Sequence, residues 1–232
     1  MLANHRRTFL HAALLLAAMV AVFLAVGRHP AGEAPVTTVP FVGRTDLSVA
    51  RAMDDIRNVV VNGIARALNV LGGGIVTIPL RALVAGWLAF RRRWRAFAVW
   101  VLTWISAELL LSFAKGFFHR GRPPGELVGT YGYSFPSGHA VAGAAIAVAL
   151  VLVLMPPGPE RRRWEWIAVG FAFVMAFSRV YLRAHWLSDV VAGVLLGSGV
   201  ALGVAALVSE VRYHVLRLWW PPPAPEPEPE PD

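Results

Sequence analysis

The chain has 232 residues, 56% of them hydrophobic, and a mean hydropathy of +0.56, which is too apolar for a soluble domain and indicates one integral membrane domain. The net charge of +8 does not indicate a nucleic-acid partner, because most basic residues form short runs between apolar segments, as topology signals do. The chain has no cysteine, which excludes disulfides, thiol chemistry and cysteine-ligated metals.

The first apolar run covers about residues 8–27 and follows a basic flank at residues 5–7. It is long enough to span a membrane. Small residues at 25–27 would also suit a signal peptidase, so a cleaved signal peptide is the alternative. We favour an uncleaved anchor because the run is longer than a usual signal-peptide core. Both interpretations place the next segment outside the cytoplasm.

An amphipathic helix is predicted between the first two spans. Residues 28–43 are rich in Pro, Gly, Thr and Val and indicate an extended connection. Thr45 and Asp46 are typical of a helix start, and apolar residues then recur every three or four positions as far as Ile64. This helix is predicted to lie in the outer membrane interface, with packing against the bundle as the alternative.

Five more spans are predicted, at about residues 67–90, 96–114, 140–155, 164–178 and 187–207. The first of these bends at Pro79. Basic runs at 91–95 and 161–163 mark the cytoplasmic side, so both termini are cytoplasmic. The predicted fold is an all-α bundle of six transmembrane helices within a membrane domain at 1–220. Residues 221–232 alternate Pro with Glu and are predicted to form a disordered cytoplasmic tail.

Two charged residues fall inside predicted spans. Arg81 lies about ten residues before the basic run at 91–95 and Glu108 about thirteen after it, roughly 15 and 20 Å from the inner surface at 1.5 Å per residue. Spans joined by a tight turn are neighbours, so we predict a buried Arg81–Glu108 ion pair. The alternative is that the arginine reaches to the interface and the glutamate is protonated.

Three polar stretches fall at the outer ends of the last four predicted spans. In the last stretch, His185 and Asp189 are one helical turn apart, so the carboxylate can hold one ring nitrogen and leave the other as a nucleophile or base. Lys115 is the only lysine beside 21 arginines.

Together the stretches have the chemistry of a phosphate site. Lys115, Arg122 and Arg179 supply three positive charges, and Ser137-Gly138 supplies a hydroxyl and an unobstructed N–H at a helix start. Displacing a phosphate ester also needs a nucleophile and a proton donor for the leaving oxygen, which two histidines can provide.

The motifs resemble the three-part signature of the type 2 phosphatidic acid phosphatase superfamily. They are Lys115-x6-Arg122-Pro123, Pro136-Ser137-Gly138-His139 and Ser178-Arg179-x5-His185-x3-Asp189. The resemblance implies a metal-independent reaction without a cofactor, through a phosphohistidine. By the same resemblance, His185 is the nucleophile, Asp189 orients it and His139 protonates the leaving group. The implied phosphoryl-binding residues are Lys115, Arg122, Ser137, Gly138 and Arg179.

The resemblance implies a membrane phosphatase, and the basic runs at 91–95 and 161–163 predict that its site faces the extracytoplasmic side of the plasma (inner) membrane. The expected substrate is a phospholipid or polyprenyl phosphate in the bilayer, with undecaprenyl pyrophosphate ahead of phosphatidylglycerophosphate and phosphatidic acid. The alternatives are a lipid-linked phosphotransferase that uses the same site and a non-enzymatic lipid-binding protein of the same fold. The soluble haloperoxidase branch is disfavoured because this chain is a membrane protein.

Overall fold

The computed structural model describes residues 5–27 and 39–219, and all regular structure in these residues is α-helical. The helices, in chain order, are α1 (His5–Val26), α2 (Pro40–Asp55), α3 (Val59–Gly72), α4 (Gly74–Phe90), α5 (Trp94–Phe118), α6 (Gly138–Leu154), α7 (Pro159–Tyr181) and α8 (Leu187–Trp219). The predicted all-α class is confirmed for these residues. The predicted tail at 221–232 and most of the predicted extended connection lie outside them.

Three of the helices are long and apolar enough to cross a membrane by themselves, namely α1, α5 and α8. The consecutive helices α3 and α4 pass the same test together, as one span with a 46° bend. Helix α6 is apolar but has only 17 residues, and α7 is not among the helices that pass. The described residues thus belong to an integral membrane protein with three or four candidate spans, and the full number of six stays a prediction.

The limits of the predicted amphipathic helix are wrong. Helix α2 begins at Pro40, so residues 40–43 are helical where the sequence predicts an extended connection. The helix also stops at Asp55, and a second one starts at Val59. The side chain of Asn58 causes this restart, because it accepts a hydrogen bond from the Val61 N–H at 2.9 Å and caps the new helix.

The bend in the second predicted span lies at Gly73 and not at Pro79. Gly73 has an extended conformation between α3 and α4, in a run of three glycines that lowers the penalty for leaving the helix. Pro79 lies in the second turn of α4, where its missing N–H removes only one hydrogen bond.

Helix α6 is the centre of the bundle and packs against α5, α7 and α8, with every residue from Ala140 to Ile146 buried. Its contact with α8 is close because α8 presents glycines. A Cβ at Gly193 would lie 2.8 Å from both the Ala140 Cβ and the Ser137 carbonyl oxygen. One turn later, a Cβ at Gly197 would lie 2.9 Å from the backbone nitrogen of Ala145. Small residues four apart are typical of close helix pairs in membranes.

The predicted contact between Arg81 and Glu108 is confirmed. Arg81 Nη1 donates to Glu108 Oε1 at 2.7 Å, between α4 and α5. The arginine is buried and its guanidinium lies 5.4 Å from the Trp104 ring centroid, while the Trp100 indole donates to its backbone carbonyl at 2.9 Å. The glutamate side chain is 46% exposed, so only one partner of the pair is buried as predicted.

This pair gives a testable prediction for stability. Arg81→Gln and Glu108→Gln each leave one charge without its partner and should lower the stability of the purified protein by about 1–2 kcal/mol. The exchanged double variant, Arg81→Glu with Glu108→Arg, should recover part of the loss in thermal unfolding. An exchanged double variant that is no more stable than the sum of the losses of Arg81→Glu and Glu108→Arg predicts would contradict a direct interaction.

Candidate functional site

The turn between α7 and α8 places His185 two residues before the start of α8. Arg183 adopts a left-handed conformation with φ of 55°, which ends α7. The backbone N–H groups of Ala184 and His185 then both donate to the Arg179 carbonyl, at 3.1 and 3.3 Å. His185 is therefore held by backbone hydrogen bonds, and its side chain is buried.

The predicted proximity of His185 and Asp189 is confirmed. The Nδ1 atom of His185 lies 3.4 Å from Asp189 Oδ2, slightly longer than a good hydrogen bond. On the opposite side of the ring, Nε2 lies 3.3 Å from Arg122 Nη1. The imidazole thus lies between a carboxylate and a guanidinium, with Nε2 directed at the cation that is predicted to bind phosphate.

Asp189 is fully buried and accepts several hydrogen bonds. Its Oδ1 accepts from Arg120 Nη1 at 2.6 Å. Its Oδ2 accepts from the Trp186 N–H at 2.9 Å and from the Ser134 hydroxyl. A carboxylate with this many donors is stabilised as the anion. It can therefore orient the imidazole and stabilise positive charge on it.

The surroundings of His185 keep its imidazole neutral. Burial lowers the pKa of His185 to about 4, although Asp189 acts in the opposite direction; the positive charges of Arg122 and Arg179 lower the pKa further. Above this pKa the ring is neutral, with a proton on only one of its two nitrogens, so the other nitrogen has a free lone pair at neutral pH. A neutral, oriented imidazole is the state that a nucleophile requires.

Two of the predicted phosphate-binding cations donate to carbonyl groups of the α5–α6 loop. Arg122 donates from Nη2 to the Tyr131 oxygen at 2.8 Å and from Nε to the Gly132 oxygen at 3.0 Å. Lys115, in the last turn of α5, donates to the Tyr133 oxygen. Backbone carbonyls are neutral acceptors, and phosphate oxygens form stronger bonds with the same donors.

The other predicted residues lie at the same end of the bundle. Ser137 caps α6, and its N–H donates to the Asp189 carbonyl at 3.0 Å, which links the second motif to the third. Gly138 is the first residue of α6. In the next residue, His139, the Nε2 atom lies 3.0 Å from the backbone carbonyl oxygen of Asn69. Since a carbonyl oxygen can only accept a hydrogen bond, the ring nitrogen is the donor. Arg179 donates to the side chain of the same asparagine.

Four polar residues of the site are not among the specified residues of the three motifs: Asn69, Asp46, Arg120 and Ser134. Asp46 was assigned by its position to a helix start, but it lies within α2 and is buried against Arg120. Local signals existed for Arg120, which is one of the six unspecified residues within the first motif, and for Ser134, which lies two residues before the second motif.

A family model described as the PAP2 superfamily matches residues 96–213 of the chain. Among curated proteins, phosphatidylglycerophosphatase B of Bacillus subtilis is 28% identical over 162 residues, which are 67% of this chain and 79% of the relative. An undecaprenyl-diphosphatase of Sulfolobus acidocaldarius is 33% identical over 148 residues, which are 61% of this chain and 68% of the relative.

Two solved structures resemble the fold. The crystal structure of a transmembrane PAP2-type phosphatidylglycerolphosphate phosphatase from Bacillus subtilis aligns with a TM-score of 0.66 and 25% identity, over 92% of this chain and 98% of the other. The crystal structure of Aquifex aeolicus LpxE aligns with a TM-score of 0.55 and 24% identity, over 69% of this chain and 93% of the other. The second likeness concerns the fold alone.

Proposed function

Since the chain belongs to the PAP2 superfamily and is an integral membrane lipid phosphatase, we propose that it hydrolyses a lipid phosphate or diphosphate through a phosphohistidine at His185. The observation that supports this mechanism best is the position of the neutral imidazole between Asp189 and Arg122. This arrangement orients one ring nitrogen and directs the other towards a cation suited to phosphate.

In the proposed first step, His185 Nε2 attacks phosphorus and the bond from phosphorus to the leaving oxygen breaks. In the free protein, burial and the positive charges of Arg179, Arg122 and Lys115 lower the pKa of His139 to about 4. The bound phosphate, an anion, offsets these charges, so we propose that His139 takes up a proton as the substrate binds. The His139 imidazolium gives this proton to the leaving oxygen, and Asp189 stabilises the positive charge on the His185 ring. In the second step, a water molecule attacks the phosphohistidine and gives a proton to His139. The P–N bond breaks, inorganic phosphate leaves, and both histidines regain their starting protonation.

The phosphoryl oxygens are proposed to bind Lys115, Arg122, Arg179, Ser137 and Gly138. When phosphate binds, its oxygens replace the loop carbonyls as the acceptors of Lys115 and Arg122. Three protein cations supply the positive charge that a divalent ion provides in many phosphatases, so we propose a reaction without metal or cofactor.

The proposed topology has six spans, with α3 and α4 together as the second. It leaves both termini in the cytoplasm and the domain boundary near residue 220. Basic residues at 91–95 and 161–163 support it, because they lie at the opposite ends of α5 and α7 from Lys115 and Arg179. The site then faces the extracytoplasmic side of the plasma (inner) membrane, with α2 at the outer interface.

The proposed substrates share a phosphate at the end of an apolar chain. They are undecaprenyl pyrophosphate, phosphatidylglycerophosphate and phosphatidic acid, and the first two agree with the names of the curated relatives. Purified protein should release phosphate from at least one of them in EDTA, and acid-quenched protein should carry labelled phosphate on His185. No release from any of the three lipids would contradict the proposal, as would transfer to an added lipid acceptor in place of water.

The side of the membrane can be tested separately. Intact spheroplasts should hydrolyse a membrane-impermeant phosphorylated lipid analogue, because the proposed site faces outwards. Spheroplasts that carry the His185→Ala variant serve as the control for other phosphatases. Hydrolysis that begins only after permeabilisation would place the site in the cytoplasm and reverse the topology.

Gly72 allows a test of the proposed proton donor. A Cβ at this position would lie 2.8 Å from Cδ2 of His139, so Gly72→Ala should displace the ring from its contact with Asn69. We expect turnover of lipid phosphates to fall about 10-fold, with little change for an aryl phosphate, whose good leaving group needs no proton. Gly63→Ala, in the same helix but with nothing within 4 Å of the added carbon, is the matched control. Equal losses on both substrates would contradict the assignment.

A further inference from the structure

A buried guanidinium connects α2 to the residue that orients the proposed nucleophile. Arg120 is 1% exposed, and each of its two terminal nitrogens donates to a different carboxylate. Nη1 donates to Asp189 Oδ1 at 2.6 Å, and Nη2 donates to Asp46 Oδ2 at 2.7 Å. Asp46, in α2, is 2% exposed. A continuous chain of buried charges therefore leads from α2 to Asp189.

Ser188 fixes the far end of this chain. Asp46 Oδ1 accepts from the Ser188 N–H at 2.9 Å, and Oδ2 accepts from the Ser188 hydroxyl at 2.6 Å. Both oxygens of the aspartate are thus engaged with residues at the start of α8. The same serine oxygen also lies 2.7 Å from Arg120 Nη1. The carboxylate of Asp46 therefore holds the arginine and the first turn of α8 together.

The plane of the guanidinium is fixed as well. Its carbon lies 5.6 Å from the centroid of the Trp186 ring, and the indole of this tryptophan donates to the Gly121 carbonyl at 2.9 Å. An arginine that is stacked and bound at both terminal nitrogens has little freedom to rotate. Arg120 holds Oδ1 of the Asp189 carboxylate, while the Trp186 N–H and the Ser134 hydroxyl hold Oδ2, the atom next to His185.

Charge balance explains why two carboxylates occur with this arginine. A buried charge without a partner is strongly unfavourable, and one guanidinium can neutralise one carboxylate and hydrogen-bond a second. Without Arg120, Asp46 and Asp189 would be two neighbouring buried anions, and one of them would take up a proton. Without the charge of Asp46, Arg120 keeps one ionic partner but loses the one that sets its orientation.

We propose that Asp46 and Arg120 are positioning residues for the reaction, which hold Asp189 in the orientation that aims His185 at phosphorus. Asp46 acts through Arg120 and touches no proposed substrate group. It lies outside residues 96–213, where the family model matches, so a helix that precedes this region would help to position the nucleophile. The proposal rests on the proposed role of His185 as the nucleophile.

The test is a double-mutant cycle of Asp46→Asn and Arg120→Gln, measured by kcat and KM on a lipid phosphate. Each single variant should lose about 10- to 100-fold in kcat, the range typical for loss of a partner that orients a functional side chain, with a smaller change in KM. In the Arg120→Gln background, Asp46→Asn should cause no further loss and should restore part of the activity, because it removes the repulsion between two buried carboxylates. Asp55→Asn, an exposed acidic position in α2, is the control.

The pH dependence of kcat/KM shows whether the variants change the position and charge of the groups around His185 or only loosen the packing of the helices. The charged groups that face His185 are Asp189 from α8, Arg122 from the α5–α6 loop and Arg179 from α7, and Arg120 acts on it through Asp189. Arg120→Gln removes a positive charge, so the acid limb of kcat/KM should move to higher pH. Asp46→Asn removes a negative charge and should move the limb to lower pH. The double variant should return towards the wild-type position.

The outcomes are distinct. Losses that multiply in the double variant, or acid limbs that stay at the wild-type pH, would overturn the positioning role. If Arg120→Gln does not fold, Arg120→Lys replaces it in the kcat cycle alone, because an ammonium keeps the charge but cannot bridge both carboxylates as a planar fork does. With this variant the acid limb should stay at the wild-type pH and kcat should still fall, and a wild-type kcat would overturn the positioning role. Labelled phosphate on His185 of the wild type is measured first, since its absence would contradict the proposed function whatever the variants show.

Discussion

Replacing His185 with alanine is expected to abolish phosphate release, with a fall in kcat of more than about 10⁴-fold, as found when a nucleophile or its base is removed from other hydrolases. The side chain is buried between Asp189 and Arg122, and the structure places no other imidazole in this position among the described residues. Phosphate release from the lipid and the amount of labelled phosphate on the quenched protein are the two measurements.

Variants of two other residues of the site test whether His185 is the nucleophile. Asp189→Asn keeps the shape of the side chain but loses the charge that holds the imidazole, so we expect a fall of about 10²- to 10⁴-fold in kcat. His139→Ala should strongly reduce turnover of the lipid but leave substantial activity on an aryl phosphate. Labelled phosphate found on His139 instead of His185 would reverse the two roles.

The second large effect is expected at the contact of α6 with α8. The added methyl group of Gly193→Ala would lie 2.8 Å from Ala140 and from the Ser137 carbonyl, so the two helices must move apart. Overpacking of this kind destabilises proteins by about 1–3 kcal/mol. Gly193 is one helical turn after Asp189, and Ala140 follows His139, so the same movement should change the geometry of the site and reduce kcat.

The comparison variant for this contact is Gly203→Ala, also in α8, whose added carbon would meet Ala12 at an ordinary 3.8 Å. It should unfold at the wild-type temperature and keep wild-type turnover. Gly197→Val should be worse than Gly193→Ala, because its Cβ would meet two backbone atoms of α6, the Val141 oxygen and the Ala145 nitrogen, and two further methyl groups must also be accommodated. If Gly193→Ala and Gly197→Val both have wild-type stability, α6 and α8 can move apart without a loss in the free energy of unfolding, and the prediction is wrong.

The helical elements and the motif positions were predictable from local patterns. Apolar runs between arginine clusters indicate membrane helices, and the spacing of His185 and Asp189 predicts the contact that the structure shows. The Arg81–Glu108 contact was also predictable, because a tight turn makes the two spans neighbours and the depth of each residue follows from its distance to the basic run.

The breaks between helices were less predictable. The sequence predicts one amphipathic helix up to Ile64 and a bend at Pro79, but the chain restarts a helix after Asn58 and changes direction at Gly73. In both places a single side chain, or the lack of one, decides between helix and break. Hydrophobic periodicity does not reveal such breaks, because the apolar residues keep the same spacing on both sides of the break.

The sequence by itself determined that this is a helical membrane protein and which residues form the three motifs, because these features depend on composition and on spacing within one helix or turn. Only the tertiary structure decided that Asp46, Arg120 and Asn69 belong to the site. Asp46 and Arg120 are 74 residues apart in the chain, and Arg120 and Asp189 are 69 apart. Such contacts depend on the rotation of each helix about its own axis, which is fixed by close packing at positions such as Gly193 and by the pairing of buried charges. Spacing within one helix can mark a face that packs closely, but it does not show which residues of another helix lie opposite that face.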